Sequence, residues 1–430
     1  MKYKLLTALL LTAMAAALAP AAVATTWYVN GVTGSDSNNC LSTTSACKTI
    51  GHAISLAASG DSITVAAATY KENLTINISL SLIGSGASGT IIDGGGINTV
   101  VTISSASAHV TVSKVTIRNG YTGQHPGGGI DNIGTLMVNK STITGNRTCF
   151  GGGLHNGGVL AIDESTISGN RVSQNGVCRG FGGGVSNSGT LTLNSSTVSG
   201  NTASGTYGPT GGGIYNKGTL MVNSSTISGN VLAKSGTFAG TDGGGIANSG
   251  TLKISSSTIS TNGAQFGGNL YGPATLQNSI VANSSSGGNC HGTMTSKGYN
   301  LSSDSTCDFR GPGDMNDTNP SLGTLGNYGG PTQTIPLFSG SPAIDAGDPN
   351  GCTNSNGVLL KTDQRGMPRP DTEDAGGCDM GAFEEQSDGG NCIPEGGACY
   401  GPGGNHCCPA PRGHHSYCSN PTGWGSCTES

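Results

Sequence analysis

Short runs of alternating apolar and polar residues recur along the middle of the chain, separated by glycine-rich turns. One such unit is 211–230. Its apolar positions include Leu220, Val222 and Ile227, and threonine or serine fills many of the positions between and beside them. A period of two is typical of a β-strand with one buried face, and the Asn-x-Gly and Gly-Asn pairs around the runs are turn signals. The pattern predicts short strands with aliphatic side chains inside and Ser/Thr outside.

Nearly the same phrase occurs five times in succession. Each copy opens with Gly-Gly-Gly, and the triplets begin at residues 127, 151, 182, 211 and 243, which are 24, 31, 29 and 32 residues apart. A degenerate copy follows at 267. Because the phrase keeps its length, the variation lies in a loop after Gly-Asn. A fixed core with variable loops on one side indicates a solenoid of stacked coils.

One asparagine occupies the same place in each copy of the phrase. Stacking would bring these side chains into register, so that their amides can bond along the stack as in other stacked strands. The glycines are expected to take positive φ at the corners. The predicted structural ladder is Asn132, Asn156, Asn187, Asn216 and Asn248.

The regions on either side of the repeats extend this organisation. Residues 26–120 contain weaker strand patterns, and 48–58 has apolar residues at helical spacing, which predicts a short helix capping the open end of the solenoid. Residues 271–385 lose the triplet but keep strand-like pieces. We therefore expect a β-helix over 25–385 and a separate disulfide-rich domain over 386–430.

The first 24 residues are typical of a cleaved signal peptide. Lys2 and Lys4 precede an apolar run over 5–18, and Ala22-Val23-Ala24 forms a small-residue cleavage site. The run is shorter than the roughly 20 residues that a membrane span needs. Cleavage near Ala24, a secreted or cell-surface location and no membrane insertion are expected.

Charge is scarce in this chain. Charged residues make up 10% of it, and removal of 1–24 takes away two lysines and no acid, which changes the net charge from −5 to −7. Nucleic acid binding relies on basic patches, so it is not expected. With 75 glycines in 430 residues, the composition would indicate disorder if the repeat did not organise it. The oligomeric state is left open.

Fourteen cysteines, an even number in an exported chain, indicate disulfides. Cys149 and Cys178 each lie in a variable loop on neighbouring coils, which predicts a bridge across the stack. The other cysteines of the body are expected to pair locally, as Cys40–Cys47, Cys290–Cys307 and Cys352–Cys378.

Several phrases outside the repeat resemble one known family. Together with the repeat they are similar to the choice-of-anchor Q domain family of bacterial surface proteins over roughly 26–385. This resemblance implies a pectin-lyase-like right-handed parallel β-helix, an all-β fold, and no established reaction. The Gly-Gly-x-Ile and Ser-Gly-Asn repeats are also similar to those of polymorphic outer-membrane adhesins. The phrases are Tyr-Val-Asn at 28–30, Asn-Tyr-Gly-Gly-Pro-Thr at 327–332, Gly-Ser-Pro-Ala-Ile-Asp-Ala-Gly at 340–347, Asp-Gln-Arg-Gly at 363–366 and Cys-Asp-Met-Gly-Ala-Phe-Glu at 378–384.

The six cysteines of the tail follow an order that resembles inhibitor cystine knots. Six cysteines permit 15 pairings, so the sequence alone leaves the connectivity open. The histidines at 406, 414 and 415 match no zinc module, which favours disulfides. The resemblance implies the pairs Cys392–Cys408, Cys399–Cys418 and Cys407–Cys427.

Three aromatic residues of the tail are the candidate ligand-binding residues. Trp424, Tyr400 and Tyr417 belong to a scaffold with little core in which to bury them, and large apolar groups exposed on small domains tend to mark binding sites. The alternative is that Trp424 packs over the knot.

Catalytic groups are few. Glycoside hydrolysis needs two carboxylates about 5–10 Å apart. Asp131 and Asp163 are weak candidates, because they occupy different places in the phrase and should not face each other. Arg118, on a strand, is the best candidate for the base of a lyase, but no acid cluster accompanies it in the sequence. No catalytic site is therefore expected.

No cofactor is expected, although calcium is possible. Asp314, Asn316 and Asp317 form an oxygen-rich loop that fits either a cation or ordinary turn chemistry. In the module implied by the family resemblance, Arg365 is expected to pair with one of four acids and fasten the last coil. Those acids are Asp345, Asp363, Asp379 and Glu384.

The sequence favours a secreted or cell-surface β-helix that binds polysaccharide or another surface without catalysis, as an adhesin does. One alternative is a polysaccharide lyase or glycoside hydrolase of the same fold, which an Arg–acid cluster or paired carboxylates would favour. The other is a structural spacer in a surface layer.

Overall fold

A computed structural model of the protein describes most of the body and three strands of the tail. The described residues are 24–123, 125–173, 180–205, 208, 210–234, 242–371, 377–386, 398–400, 416–418 and 424–429. The predicted signal peptide lies outside them. Within them, no helix is long and apolar enough to cross a membrane.

Three long parallel sheets, A, B and C, form the body, because each strand pairs with the equivalent strand one coil away. Sheet A contains Thr26–Val29, Asp61–Val65, Leu80–Gly84, His109–Ser113, Thr135–Asn139, Val159–Asp163, Thr190–Asn194, Thr219–Asn223, Thr251–Ser255, Ala274–Gln277 and Met294–Ser296. Sheet B contains Ala68–Lys71, Thr90–Asp93, Thr116–Arg118, Thr142–Thr144, Thr166–Ser168, Thr197–Ser199, Thr226–Ser228, Thr258–Ser260, Ile280–Ala282 and Leu301–Ser302. Sheet C contains Leu74–Ile76, Val101–Ile103, Ile130–Asn132, Leu154–Asn156, Val185–Asn187, Ile214–Asn216, Ile246–Asn248, Leu270–Tyr271 and Cys290–His291.

This arrangement is a right-handed parallel β-helix, as the sequence predicted. The aliphatic positions of the repeat point inward from all three sheets: Leu220 and Val222 from sheet A, Ile227 from sheet B and Ile214 from sheet C are fully buried. Stacking repeats this set in neighbouring coils, so the core is a continuous column of aliphatic side chains.

A short fourth sheet, D, follows the Gly-Asn turns on the side of the variable loops. Its strands are Arg147–Thr148, Arg171–Val172, Thr202–Gly205 and Val231–Lys234. It has a small core of its own, made by Val172, Ala203, Leu232 and Ala264. The loop variation inferred from the triplet spacing therefore begins in or just after this sheet.

The predicted asparagine ladder is present at the corner between sheets C and A. Each Nδ2 donates to the Oδ1 of the next asparagine at 2.6 to 2.8 Å, from Asn132 through to Asn248. Asn216 also donates to the carbonyls of Gly218 and Thr251, at 3.2 and 3.0 Å. All five side chains are buried, so the ladder satisfies polar groups that water cannot reach.

A second asparagine ladder, which the sequence analysis did not identify, lies at the turn after sheet B. Along the turns that follow sheet B, each asparagine from Asn146 to Asn230 donates to the equivalent asparagine on the next coil at 2.9 to 3.1 Å. Asn262 then donates to Asn269, seven residues later, and Asn269 donates to Asn289, both at 2.9 Å, and these last two occupy the third position of Gly-Gly-Asn triplets. The asparagines of the Gly-Asn turns had been interpreted only as turn signals. The ladder is Asn146, Asn170, Asn201, Asn230, Asn262, Asn269 and Asn289.

The expectation that serine and threonine lie outside is wrong at the corner between sheets A and B. One serine per coil is buried there, and its Oγ accepts a backbone N–H from the coil before it at 3.0 to 3.3 Å. Alternation does not apply at a corner, where the chain turns and the polar group can meet the backbone of its neighbour. The residues are Ser141, Ser165, Ser196, Ser225, Ser257 and Ser279.

The glycine triplets are explained by backbone conformation and by close approach. Gly211, first in its triplet, has a φ of 73°, in the left-handed region that favours glycine. A Cβ on Gly212 would lie 2.5 Å from the carbonyl oxygen of Gly244 on the next coil. A Cβ on Gly213 would lie 3.0 Å from the Asn230 amide. The third glycine therefore makes room for the second asparagine ladder.

The first coil is covered by the helix Ile50–Leu56, within the predicted range. Thr49 caps its N-terminus by accepting from the backbone N–H of His52, and the Glu72 carboxylate accepts from the N–H groups of Ile50 and Gly51 at 2.8 and 2.7 Å. Ile50 and Ala53 are buried against the first strands, so the helix covers the end of the aliphatic column.

Residues 303–371 and 377–386 leave the coil, and part of the stretch from 332 onwards lies across the outer face of sheet B. Thr226 donates to Gln364 Oε1 at 2.6 Å, Gln364 Nε2 donates to Thr197 Oγ1 at 3.0 Å, and the backbone N–H of Ala382 donates to Thr258 Oγ1 at 3.0 Å. The three threonines are buried. The threonine side chains that the sequence analysis expected on the outside are therefore covered on this part of sheet B. This is a second correction to that analysis.

Two buried ion pairs hold the covering segment together. Arg365 pairs with Asp363 at 2.7 Å, and Asp363 is one of the four acids that the sequence analysis named as its expected partner. Arg369 pairs with Glu384. Burial raises the pKa of Glu384 to about 8 and that of Asp379 to about 6. The charge of Arg369 opposes the rise at both carboxyls but does not cancel it.

Three of the predicted disulfides of the body are present: Cys40–Cys47, Cys290–Cys307 and Cys352–Cys378. Cys149 is also disulfide-bonded, but Cys178, its predicted partner, lies outside the described residues, so that pairing stays a prediction. In the tail, Ala398–Tyr400 and Ser416–Cys418 each pair with Trp424–Glu429 as antiparallel strands. Cys392, Cys407 and Cys408 lie outside the described residues, and Cys399, Cys418 and Cys427 are described only by their backbone, so the pairings of the tail stay a prediction.

Asn216→Ala should lower the free energy of unfolding by about 1–3 kcal/mol, because it removes four buried hydrogen bonds: those of the Asn216 side chain to Asn187, Asn248, Gly218 and Thr251. Urea titration followed by circular dichroism measures this difference. The exposed loop variant Asn356→Ala is the control and should be neutral. Equal stability of the Asn216 variant and the wild type would mean that the ladder contributes nothing.

The covering segment should become less stable as the pH rises from about 5 to 8. The pKa of Glu384 is higher in the folded chain, about 8, than its ordinary 4.5. The folded state therefore binds the extra proton in this interval and loses stability as the proton leaves. A decline of about 1–3 kcal/mol is expected in urea titrations.

Glu384→Gln should reduce this pH dependence, above all between pH 6 and 8, because the glutamine does not titrate and only Asp379, with a pKa of about 6, keeps a pKa raised by burial in this segment. Glu164→Gln, which removes a partly exposed carboxylate paired with Lys140, is the matched control and should keep the wild-type slope. The interpretation is wrong if Glu384→Gln and the wild type have the same slope.

Candidate functional site

One outward position on sheet C changes from coil to coil while the phrase around it stays the same. It immediately precedes the ladder asparagine in the five repeats and a glycine in the two coils after them, and strand alternation turns it away from the core. The paired strands place these side chains in one line along the solenoid, with about 4.8 Å between coils. This axial row is Asp131, His155, Ser186, Tyr215, Ala247, Tyr271 and His291.

A second row runs beside the axial row, at the residue before each glycine triplet. Its members are bridged from coil to coil, and we call it the flanking row. They are Phe150, Phe181, Thr210, Asp242 and Phe266.

Aromatic rings of the two rows form two stacked groups. In the first, Phe181 stacks on Phe150 and on Tyr215, with ring centroids 5.8 and 4.6 Å apart. In the second, His291 contacts Phe266 and Tyr271, at 5.4 and 5.3 Å. The rings are partly exposed, and Tyr215 of the first group and Phe266 and Tyr271 of the second lie on either side of the interval between the groups.

The rings are interrupted at the coil that carries Asp242 and Ala247. Ala247 has only a methyl group between Tyr215 and Tyr271 in the axial row, and Asp242 is its neighbour in the flanking row. Burial raises the pKa of Asp242, although His291 opposes the rise. The Asp242 carboxylate forms no hydrogen bond or ion pair with any described residue. A partly buried hydrogen-bond acceptor therefore lies between two aromatic groups without a partner.

Asp131 is hydrogen-bonded in the axial row to the residue on the next coil. Its Oδ1 lies 2.8 Å from His155 Nδ1, and both side chains are partly buried. A carboxylate that holds one imidazole nitrogen leaves the other available for proton transfer. Ser186 follows in the row, but no hydrogen bond joins it to His155 in the described structure. The sequence analysis missed this pair, although alignment of the phrases places both residues at one position.

Asp163 lies elsewhere, on sheet A. It accepts from Asn194 Nδ2 at 2.7 Å, and burial raises its pKa. Since Asp131 is on sheet C, the two carboxylates do not face each other, as expected from their different places in the phrase.

Arg118 lies in sheet B opposite Asp93, which the sequence did not associate with it. Arg118 Nε donates to Asp93 at 2.9 Å, and Asn119 and the Gly95 N–H donate at 2.8 and 3.0 Å. Burial would raise the pKa of Asp93, but these bonds and the arginine charge lower it overall. Both side chains are thus engaged with each other, which does not suit a free base beside a cation site.

Comparison with known proteins agrees with the architecture. No protein-family model matches the chain, and no curated protein matches it. Among solved structures, pectate lyase Pel9A is similar over 84% of this chain and 96% of that one, with a TM-score of 0.50 and 14% identity. The fold is pectate-lyase-like.

Two further pectate-lyase-like neighbours are more distant. A rhamnogalacturonan lyase matches over 74% of this chain and 96% of its own, with 12% identity and a TM-score of 0.44. A pectin methylesterase from carrot matches over 67% and 83%, with 12% identity and a TM-score of 0.35. The reaction of each neighbour belongs to that protein.

The candidate calcium loop serves as a turn in the structure. Asp314 accepts from the backbone N–H groups of Asn300 and Gly311, at 2.8 and 2.5 Å, and Asn316 exchanges hydrogen bonds with the backbone of Phe309. Asp317 has a φ of 49°. The oxygens of Asp314 and Asn316 thus already hold the loop, which favours the turn interpretation.

The three aromatic candidates of the tail are described only by their backbone. Tyr400 lies opposite Trp424 in the antiparallel pairing, and Tyr417 lies opposite Thr428. Whether their side chains form a binding face is outside what the structure describes, so that role stays a prediction.

Proposed function

We propose that this protein is a secreted or cell-surface β-helix that binds polysaccharide without catalysis, as an adhesin does, and that the sugar chain lies along sheet C. The proposal includes membership of the choice-of-anchor Q family, for which the phrases of the sequence are the support. Its central observation is the Asp242 carboxylate between two groups of aromatic rings, which forms no hydrogen bond or ion pair with any residue that the structure describes.

The two rows supply both kinds of contact that a sugar needs. Aromatic rings pack against the apolar faces of a sugar, whereas carboxylates and tyrosine hydroxyls bond to its hydroxyl groups. The interval at Ala247 has Tyr215 on one side and Tyr271 on the other, with Asp242 beside it. We assign the best-defined sugar subsite to this interval.

The geometry of the solenoid also fits a linear polymer. Each coil advances by about 4.8 Å, which is close to the length of one sugar unit in an extended chain. A chain parallel to the axis would therefore meet a new pair of side chains at each coil. Many modest contacts of this kind add up to useful retention without any single strong one.

Binding without reaction is favoured over a lyase, because Arg118 is engaged with Asp93 and the candidate acids Asp131 and Asp163 lie on different sheets. The Asp131–His155 pair is the one observation that favours the enzymatic alternative, since it provides a group able to transfer a proton. Incubation with pectin, alginate and β-glucans, with and without calcium, should release no product. The appearance of ultraviolet-absorbing unsaturated sugars would establish a lyase instead.

Retention on an insoluble glycan should fall about tenfold in Tyr215→Ala and in Asp242→Ala, equivalent to about 1.4 kcal/mol each. Asp242→Asn keeps a hydrogen-bonding group and should lose less. Depletion from solution by a panel of insoluble glycans measures the retention. Met137→Ala, which removes an exposed side chain from sheet A, is the control. If the sheet C variants and the control bind equally well, sheet C is not the binding surface.

Deleting residues 386–430 should weaken retention without changing the thermal transition of the body. The expected cause is loss of a second attachment point that contains Trp424, since linked sites reinforce each other. Trp424→Ala in the full chain should reproduce the loss. Undiminished retention in both variants would restrict binding to the β-helix.

A further inference from the structure

A second surface, at the N-terminal end of the solenoid, is a shallow depression between sheets B and D. It is lined by Lys71, Asp93, Asn119, Tyr121 and Arg147, with glycines between them. The glycines leave the floor without side chains, so a ligand can approach the backbone closely.

The charge of this depression is positive, in contrast to the rest of the chain. Asp93 is buried, lies between Lys71 and Arg118 in the register of sheet B, and forms its ion pair with Arg118. This one acid therefore offsets one of three basic residues, Lys71, Arg118 and Arg147, and the net charge stays positive. The neighbouring acid Glu72 is used at the N-terminus of the helix Ile50–Leu56. After loss of 1–24 the chain keeps 17 basic residues and has a net charge of −7, so this concentration of positive charge is unusual within it.

Arg171 extends the positive surface by one coil. It pairs in register with Arg147 in sheet D, and both side chains are exposed. Neither arginine forms an ion pair with any described residue, and the adjoining stretch 174–179 contains no carboxylate in its sequence. Like charges at directly paired strand positions repel each other, so an anion bound between them would relieve the repulsion.

Arg147 is already oriented for this role. Its Nε donates to Ser173 Oγ at 2.5 Å, and its guanidinium lies 5.7 Å from the centre of the Tyr121 ring. These contacts occupy Nε and one face of the guanidinium, and the two terminal nitrogens remain for a ligand. Two parallel N–H groups are the arrangement that recognises a carboxylate or a sulfate. Tyr121, which is 41% exposed, offers an apolar surface beside them.

We propose that Lys71, Arg147 and Arg171 form a site for the anionic groups of an acidic polysaccharide. Arg147 and Arg171 bind carboxylate or sulfate groups on successive units, Tyr121 packs against the sugar between them, and Lys71 contributes attraction at the far side of the depression. This site is separate from the sheet C rows, and it does not depend on the function proposed for them.

The test is binding of soluble oligosaccharides by calorimetry, at low and at moderate salt. The probes are oligogalacturonate for carboxylates, chondroitin sulfate oligosaccharides for sulfates, and a neutral β-glucan oligosaccharide. At least one acidic probe should bind, and its affinity should fall as salt shortens the range of charge attraction. Whether the carboxylated or the sulfated probe binds more tightly identifies the source of the anion. Failure of both acidic probes to bind would overturn the proposal.

Arg147→Gln with Arg171→Gln should reduce affinity for the acidic probe about tenfold or more. The matched control is Lys217→Gln with Lys297→Gln, which removes the same charge from exposed positions elsewhere. An equal loss in both double variants would indicate general charge attraction and refute a defined site. Circular dichroism checks that the exposed substitutions leave the fold intact.

The same measurements distinguish binding at this site from binding at the sheet C surface. Tyr215→Ala should leave binding of the acidic probe unchanged, and the arginine variants should leave retention on a neutral insoluble glycan unchanged. A loss of acidic binding in Tyr215→Ala would mean that sheet C, and not the depression, holds the anionic chain.

Discussion

Each coil of the stack buries equivalent polar groups at its corners, and every one of these groups needs a hydrogen-bond partner. The body meets this requirement by giving each buried amide its own counterpart on the next coil, as in the bond from Asn187 to Asn216. Because each asparagine both donates and accepts, the ladder continues through the stack without a leftover group until it ends. The glycine triplet follows from the same constraint, since Gly213 lies against the Asn230 amide where a side chain would not fit.

A fold fixed by its corners leaves the outward positions of the sheets free to vary. The residue before each ladder asparagine is an acid, a histidine, a serine, a tyrosine or an alanine without any change in the strand that carries it. On sheet B, outward residues contact another part of the same chain, because Gln364 and its neighbours cover Thr197 and Thr226. Sheet C has no such cover in the described structure, which is why the variable row there is the more favourable place for a ligand.

The sequence was sufficient for the solenoid, the first ladder, the capping helix and three disulfides, because all of these depend on local pattern or on spacing within the repeat. It was insufficient wherever the deciding contact joins distant segments. Thr226 has the alternation of an exposed residue, and only the return of the chain near Gln364 buries it. Arg118 similarly lacks an acid nearby in sequence, since Asp93 becomes its neighbour only through strand register. The second ladder could have been predicted from the sequence, because Asn201 and Asn230 occupy the same position in successive copies of the phrase.

The strand register shows which charged residues of the body have a partner of opposite charge on the next coil. Where a charge has a structural purpose, the next coil supplies its partner, as Asp131 has His155 and Asp93 has Arg118. Arg147 is followed one coil later by Arg171, a charge of the same sign, and Asp242 has no partner among the described residues. Like charges in register repel each other, and a partly buried carboxylate without a partner among the described residues is costly. The Arg147–Arg171 pair and the interval at Asp242 are therefore two places where a bound ligand would supply what the neighbouring coil does not.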